Sequence, residues 1–244
     1  MQLFILAGQS NMSGRGDLSQ ANLKTHPQIF LFGNDYQWHI AKEPVDDPSG
    51  QIDEISLDPN AGYSPALPFA LALLEHDPNM IIGLIPCAVG GSSIIDWQKN
   101  DETTSLYESC LTRARIASEM GQIVGLLFFQ GETDAMVSSF VPDKKLSPFQ
   151  WADHFQQFIQ DFRTDLKIPN LPVVFAQLGT QYLPSVFINW EIIKSQQASI
   201  DIPFTAMIIT DDLEIDDSVH FRTASYDVIG TRFADAYLAL IAEK

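Results

Sequence analysis

A serine hydroxyl is a poor nucleophile at neutral pH unless an imidazole takes its proton and a third group holds that imidazole in the right tautomer. Three side chains of this chain answer that description: Ser10 in Gly8-Gln9-Ser10-Asn11, and His220 with Asp217 in Asp217-Ser218-Val219-His220. In one tight turn, that Asp-x-x-His spacing lets the carboxylate reach Nδ1 while Nε2 faces the serine. The pattern is common in unrelated chains, and its weight here comes from position. Of the other histidines, His26, His39, His76 and His154, none has a comparable aspartate after an apolar run. Acyl transfer also needs donors aimed at the oxyanion of the tetrahedral intermediate, each typically contributing about 100- to 1000-fold in kcat. The candidates are the Ser10 amide, a glycine amide from Gly90-Gly91 and the side-chain amide of Gln130. Read singly, Ser10 could cap a turn and Gly90-Gly91 could be an ordinary turn, with neither Gly-x-Gly-x-x-Gly nor a Walker lysine beside it.

These residues gain meaning from the elements that carry them. Short apolar runs at Leu3–Ala7, Ile29–Phe32, Met80–Pro86, Ile123–Phe129, Leu171–Leu178 and Phe204–Ile209 read as strands, most of them apolar on both alternations. Between them lie segments of helical period, the usual sign of a parallel sheet covered on both faces. Ser64-Pro65 opens a helix over Ala66–Glu75, and Thr104 or Ser105 caps another over Leu106–Met120. Ser147-Pro148 opens Phe149–Leu166, whose Trp151, Phe155, Phe158, Ile159 and Phe162 form a stripe for packing on the sheet. Thr223–Ile241 closes the chain as a helix, with Val228, Phe233, Tyr237 and Leu240 expected in the core. Ligands of such sheets bind beyond the carboxyl ends of the strands. The Ser10, Gly90-Gly91 and Gln130-Gly131-Glu132-Thr133-Asp134 segments each follow a strand directly, and Asp217–His220 follows one after a short loop. The stretch from 33 to 62, rich in Asp, Pro, Gly and Asn, breaks the alternation and reads as a long surface excursion able to wall the site.

Composition excludes other classes. Acidic residues outnumber basic ones, 31 to 14, for a formal charge of −17, so nucleic acid and anionic membrane are disfavoured partners. Arg15 is the one cation near Ser10 in sequence. Cys87 and Cys110 make no metal-ligand cluster and read as unpaired structural thiols. No stretch reaches the ~20 apolar residues of a membrane span, and the N-terminus enters a strand at once. That start implies a cytoplasmic location for a full-length chain and a secreted one if a signal peptide has been removed. The expectation is one domain over residues 1–244, with the oligomeric state open.

Four segments together resemble the SGNH hydrolase superfamily, and within it carbohydrate esterases of the sialate O-acetylesterase and acetylxylan esterase type, similar to carbohydrate esterase family 6. They are Ala7-Gly8-Gln9-Ser10-Asn11-Met12-Ser13-Gly14-Arg15-Gly16, Gly83 through Ile94, Phe129-Gln130-Gly131-Glu132-Thr133-Asp134 and Asp217-Ser218-Val219-His220-Phe221. The resemblance implies a three-layer α/β/α, flavodoxin-like fold with a central parallel sheet and no metal or organic cofactor. It also implies hydrolysis of O-acetyl esters on small sugars or oligosaccharides through an acyl-serine intermediate. Ser10 is then the nucleophile, His220 the general acid and base, and Ser10, Gly91 and Gln130 line the oxyanion hole. The histidine's orienter stays open between Asp217, favoured on local geometry, and Glu132. Asn11 and Arg15 are candidates for holding the nucleophile loop or for substrate contact, and Trp97 for sugar stacking or the core. The acidic Val45-Asp46-Asp47 departs from relatives that carry a histidine nearby. Two alternatives keep the fold: a lipase or thioesterase acting on another acyl ester, and a catalytically silent carbohydrate-binding protein.

Overall fold

The computed structural model describes residues 1–21, 23–100, 105–140 and 147–242. Seven strands form one sheet: β1 (Gln2–Gly8), β2 (Ile29–Phe32), β3 (Trp38–Ile40), β4 (Ile82–Pro86), β5 (Gln122–Phe129), β6 (Val173–Ala176) and β7 (Thr205–Ile208), in the order β3-β2-β4-β1-β5-β6-β7. Only β3 is antiparallel to its neighbour. The stretch β4-β1-β5-β6-β7 has the flavodoxin-type 2-1-3-4-5 order, with β2 and β3 added at one edge. Among the described residues six α-helices accompany the sheet: α1 (Ser10–Ser13), α2 (Ala66–His76), α3 (Leu106–Ala117), α4 (Trp151–Asp165), α5 (Trp190–Ala198) and α6 (Thr223–Ala242).

The strands are apolar on both alternations because both faces are covered. Leu3, Ile5 and Ala7 of β1 share one core with Ile85, Phe128 and the residues of α3, α4 and α5. Phe4 and Leu6 point the other way, into a core with Phe69 of α2 and Ile229, Phe233 and Tyr237 of α6. This is the expected α/β/α layering. The α4 stripe is buried at all five positions, none more than 1% exposed, and each such side chain contributes about 1.5–3 kcal/mol of burial. Ser105 caps α3 by accepting from the Glu108 amide at 3.1 Å; Thr104 lies outside the described residues. In α6 the buried stripe runs through Tyr226, Ile229, Phe233 and Tyr237, and Leu240 is partly buried against it. Val228 is 39% exposed, a correction to its expected core role, since it falls one position off that stripe. Helix α5 and strand β3 had no periodic signal long enough to mark them in the sequence. Cys87 and Cys110 are both buried and unpaired. Among the described residues, no helix is long and apolar enough to cross a membrane.

The excursion from 33 to 62 is anchored rather than loose. Fully buried Arg113 of α3 donates to Asn34 Oδ1 and, at 3.2 Å, to Ser56 Oγ, and lies over the Tyr36 ring. Asn34 in turn donates to Asp46 Oδ1 at 3.0 Å. Next to this network Glu43 is buried with Ser64 Oγ and the Val45 amide donating to its two oxygens. Burial pushes its carboxyl from 4.5 up to about 8 and that of Asp46 from 3.8 to about 7. Between those limits the folded chain keeps protons that the unfolded chain has lost, so stability falls as pH rises through this window. The melting temperature is therefore expected to be higher at pH 5.5 than at pH 8, with Glu43→Gln flattening the slope. An unchanged slope in that variant, measured by thermal denaturation, would remove Glu43 from the account.

Candidate active site

The carboxyl ends of β1, β4 and β5 lie side by side, and the loops leaving them converge. β1 ends at Gly8, with φ 129° and no room for a side chain: a Cβ would lie 2.1 Å from the Phe129 carbonyl oxygen. Glycine is the residue for such a conformation and such an approach. The chain turns there, and α1 begins at Ser10. The Gln9 carbonyl accepts from the amides of Met12 and Ser13, leaving the Ser10 side chain at the sheet edge. His220 arrives from the loop between β7 and α6, pinched by a bridge between Ile215 and Phe221 and by an Asp216 amide bond to the His220 carbonyl at 2.8 Å. Ile215, Val219 and Phe221 bury their side chains, which fixes the loop from beneath.

Ser10 Oγ lies 2.9 Å from His220 Nε2, and His220 Nδ1 lies 2.6 Å from Asp217 Oδ2. The other carboxylate oxygen of Asp217 accepts from the Val219 and His220 amides, each at 2.8 Å. Partial burial raises the Asp217 pKa, but the bonds from the His220 ring and from these amides outweigh it and hold the carboxyl below its usual range. An ionised carboxylate only accepts, so Nδ1 carries the donated proton and neutral Nε2 is left to accept from the serine hydroxyl. The pair sits at the protein surface, the His220 side chain 25% exposed and that of Asp217 54%.

Glu132 does not touch the imidazole by hydrogen bonding. Its Oε1 accepts from Asn11 Nδ2 at 2.6 Å, and the same Nδ2 donates to the Val219 carbonyl at 3.1 Å. Tyr226 of α6 closes the arrangement by donating to Asn11 Oδ1 at 2.8 Å. Burial raises the Glu132 carboxyl, and the Asn11 bond and the charge of nearby His220 offset only part of that. Glu132 thus reaches the histidine loop through Asn11. With 1% exposure, Asn11 is a brace between the nucleophile turn and the histidine loop, the first of the two roles expected of it, and its burial speaks against the second, a substrate contact.

Gln130 departs from its expected role, and Trp97 and Arg15 each take one of the two expected of them. Gln130 is fully buried, and its Nε2 donates to Ser92 O at 3.0 Å and Asp134 Oδ2 at 2.6 Å while Oε1 accepts from Trp151 Nε1. Both its N–H groups are engaged, so its side chain serves to lock the β4 and β5 loops together rather than to face an oxyanion. Trp97 has no exposed surface; it packs edge-on against Phe128 and Phe158 and donates to Ser92 Oγ, and cannot stack on a sugar. Arg15 is bound in two-toothed fashion by Asp58, at 3.0 and 2.8 Å, and also donates to Ser13 Oγ and Gly14 O. Its charge is matched inside the protein, so it supports the nucleophile turn and not a ligand. Asp58, Ser13 and Tyr226 carried no assigned role in the sequence: Leu57-Asp58-Pro59-Asn60 reads as a plain turn, and Tyr226 as one residue of a closing helix.

Gly91 lies in the loop that leaves β4. It is exposed, with φ 75° and open space where a Cβ would stand. The amides of Ser10 and Gly91 have no acceptor among the described residues. Beside Gly91 opens a cavity of about 490 Å³, lined by Gly90, Gly91 and Ser92, by the polar Asp96, Asn100 and Ser105, and by Ile55, Val89, Ile95 and Leu106. Among the described residues, no group of His, Cys, Asp and Glu could hold a metal ion.

Comparison with known proteins gives a consistent picture. The family described as carbohydrate esterase, sialic acid-specific acetylesterase, matches residues 1–239. A probable carbohydrate esterase of Arabidopsis thaliana is 27% identical over 98% of this chain and 90% of its own length. An X-ray structure of an Arabidopsis thaliana protein superposes with a TM-score of 0.82 at 25% identity, covering 98% of each chain. A carbohydrate acetylesterase from Xanthomonas citri shares the fold, with a TM-score of 0.73 at 19% identity over 99% of this chain and 57% of that one.

Proposed function

The chain belongs to the carbohydrate esterase family of sialic acid-specific acetylesterases, and from that premise we propose that it removes O-acetyl groups from a carbohydrate through an acyl-serine intermediate on Ser10. The observation that carries this reading is the line from Ser10 Oγ to His220 Nε2 to Asp217, at 2.9 and 2.6 Å, beside two unengaged amides. Ser10 Oγ attacks the acetyl carbonyl as its proton passes to Nε2. The N–H groups of Ser10 and Gly91 take the oxyanion. Collapse expels the sugar oxygen, which takes the proton back from Nε2, and the acetyl group stays on Ser10. Water then attacks that ester with His220 again as base, the Oγ–acyl bond breaks as Nε2 returns the proton to Ser10 Oγ, and acetate leaves. Asp217 stabilises the imidazolium formed in each half without itself taking the proton.

The cavity beside Gly91 suits the alcohol half of the ester, since Asp96, Asn100 and Ser105 offer polar groups to sugar hydroxyls and Ile55 and Ile95 offer apolar surface to a ring face. The decisive measurement is acetate release from acetylated xylan, O-acetyl sialic acid and simple sugar acetates, with Ser10→Ala as the blank. Turnover of at least one acetylated sugar, absent in the blank, is expected. Preference for long-chain acyl esters, or sugar binding with no turnover of any small ester, would overturn the reading.

A further inference from the structure

Gly90-Gly91 is a segment with unusual conformational freedom placed where an oxyanion donor must be held still. Glycine pairs sample far more backbone states than other residues, and no side chain at Gly91 packs against anything. The segment is tethered at its ends, where the Val89 amide donates to Gly8 O and the Ser92 amide to Val89 O. Between those tethers, the Gly90 amide donates to Asp58 Oδ2 at 2.8 Å. The same oxygen accepts from Ser13 Oγ at 2.7 Å, and Ser13 is the last residue of the helical turn that Ser10 begins. Arg15 grips both oxygens, and the Asn60 amide donates to Oδ1 at 3.1 Å. Asp58 is 3% exposed, and the approach is close: a Cβ on Gly90 would lie 2.3 Å from Arg15 Nη2.

We infer that Asp58 is a positioning residue for ester hydrolysis, its carboxylate clamping the nucleophile turn to the Gly90-Gly91 loop so that the Ser10 hydroxyl and the Gly91 N–H face the same point. This rests on the reading of Ser10 as nucleophile. The chemistry favours a carboxylate over any neutral side chain. Burial alone would raise its pKa, yet the bonds from Ser13, Arg15 and the Gly90 amide together hold it below the ordinary range. It is therefore ionised at neutral pH, and all its contacts are donors. An asparagine of the same shape would turn an NH2 group toward Arg15 Nη2 in either orientation, and also toward either the Asn60 amide or the Ser13 and Gly90 donors, so that donor faces donor and the clamp loosens. A misaligned oxyanion donor weakens the transition state while leaving ground-state substrate binding nearly intact.

The test compares wild type, Asp58→Asn and Ser10→Ala on p-nitrophenyl acetate, with methylboronic acid as the tetrahedral probe of the serine and a fluorophosphonate to count active sites. Asp58→Asn is expected to lower kcat by about 10- to 100-fold with KM within about threefold. Its inhibition constant for methylboronate should weaken by a similar factor, at an unchanged fraction of sites titrated. Unchanged kcat, or a loss accounted for by fewer titratable sites at wild-type boronate affinity, would overturn the inference. Should Asp58→Asn fail to fold, Ser13→Ala removes one arm of the clamp and leaves the Arg15 pair intact. The same pattern at about 3- to 10-fold supports the clamp, and wild-type kcat and boronate affinity reject it. Activity retained by Ser10→Ala would instead defeat the serine reading itself, which the Asp58 results alone cannot do.

Discussion

Ser10→Ala is expected to lower kcat for acetyl ester hydrolysis by about 10⁴-fold or more, with the fold intact. Removal of the hydroxyl leaves the imidazole with nothing to deprotonate, and water held in its place is not covalently positioned against the carbonyl. The residual rate comes from binding and from the remaining amide donors. Stability should change little, by about 1 kcal/mol or less, because the serine side chain has one partner, the His220 ring, and the surrounding turn is held by backbone bonds. Purified Ser10→Ala that keeps a tenth of wild-type activity, with unaltered far-UV circular dichroism, would rule out the acyl-serine route.

The second large effect separates the two carboxylates. Asp217→Asn is expected to cost about 100- to 1000-fold in kcat, because an amide facing Nδ1 either favours the wrong tautomer or leaves the imidazolium without its counter-charge. The loss should be smaller than for a fully buried partner, since water reaches the Asp217 side chain, 54% exposed, and screens the interaction. Glu132→Gln should cost less than about tenfold, because a glutamine oxygen can still accept from Asn11 and the brace to the Val219 carbonyl survives. Equal losses in the two variants would mean that both carboxylates act on the imidazole. Asp217 also ties activity to acid stability. Its carboxyl is held below the ordinary value of 3.8, so its stabilising contribution is present above that value and is lost as pH falls through the depressed one.

Much of this was legible in the chain because the signals were local. Six strands followed from apolar runs that need no partner to be recognised, and the starts of α2 and α3 and, within two residues, of α4 from Ser and Pro placed just before a helical period; α3 stops at Ala117, three residues short of its expected end. The Asp217–His220 pair was legible for the same reason, being three residues apart within one turn. Whether Asp217 or Glu132 meets Nδ1 was not, since Glu132 lies on a different loop and the short side chain of Asn11 stands between. Gln130 was misplaced, and the choice between sugar and core for Trp97 was open, for a related reason. Gln130 directly follows β5 and Trp97 closes a short turn beyond β4, but whether a side chain there turns toward solvent or into the interlayer core depends on the partners waiting inside. For Gln130 those partners are Asp134, the Ser92 carbonyl and Trp151, and for Trp97 they are Phe128, Phe158 and Ser92.

Asp58 marks the boundary most clearly. In sequence it stands in an Asp- and Pro-rich excursion without period, 45 residues from Ser13 and 32 from Gly90. It becomes part of the site because buried Arg113 pins Asn34 and Ser56 under that excursion and because backbone bonds from Gly62 and Tyr63 tie its end to Gly14 and Gly16 beside the nucleophile turn. The sequence by itself pointed to the layered sheet and to the Asp217–His220 pair, since those depend on composition and spacing within a few residues, and it was the resemblance of four segments that joined Ser10 to that pair across 210 residues. The tertiary structure alone decided which carboxylate touches the imidazole, which amides are left unengaged and what holds the glycine loop, because those depend on hydrogen-bond partners brought together from loops far apart in the chain.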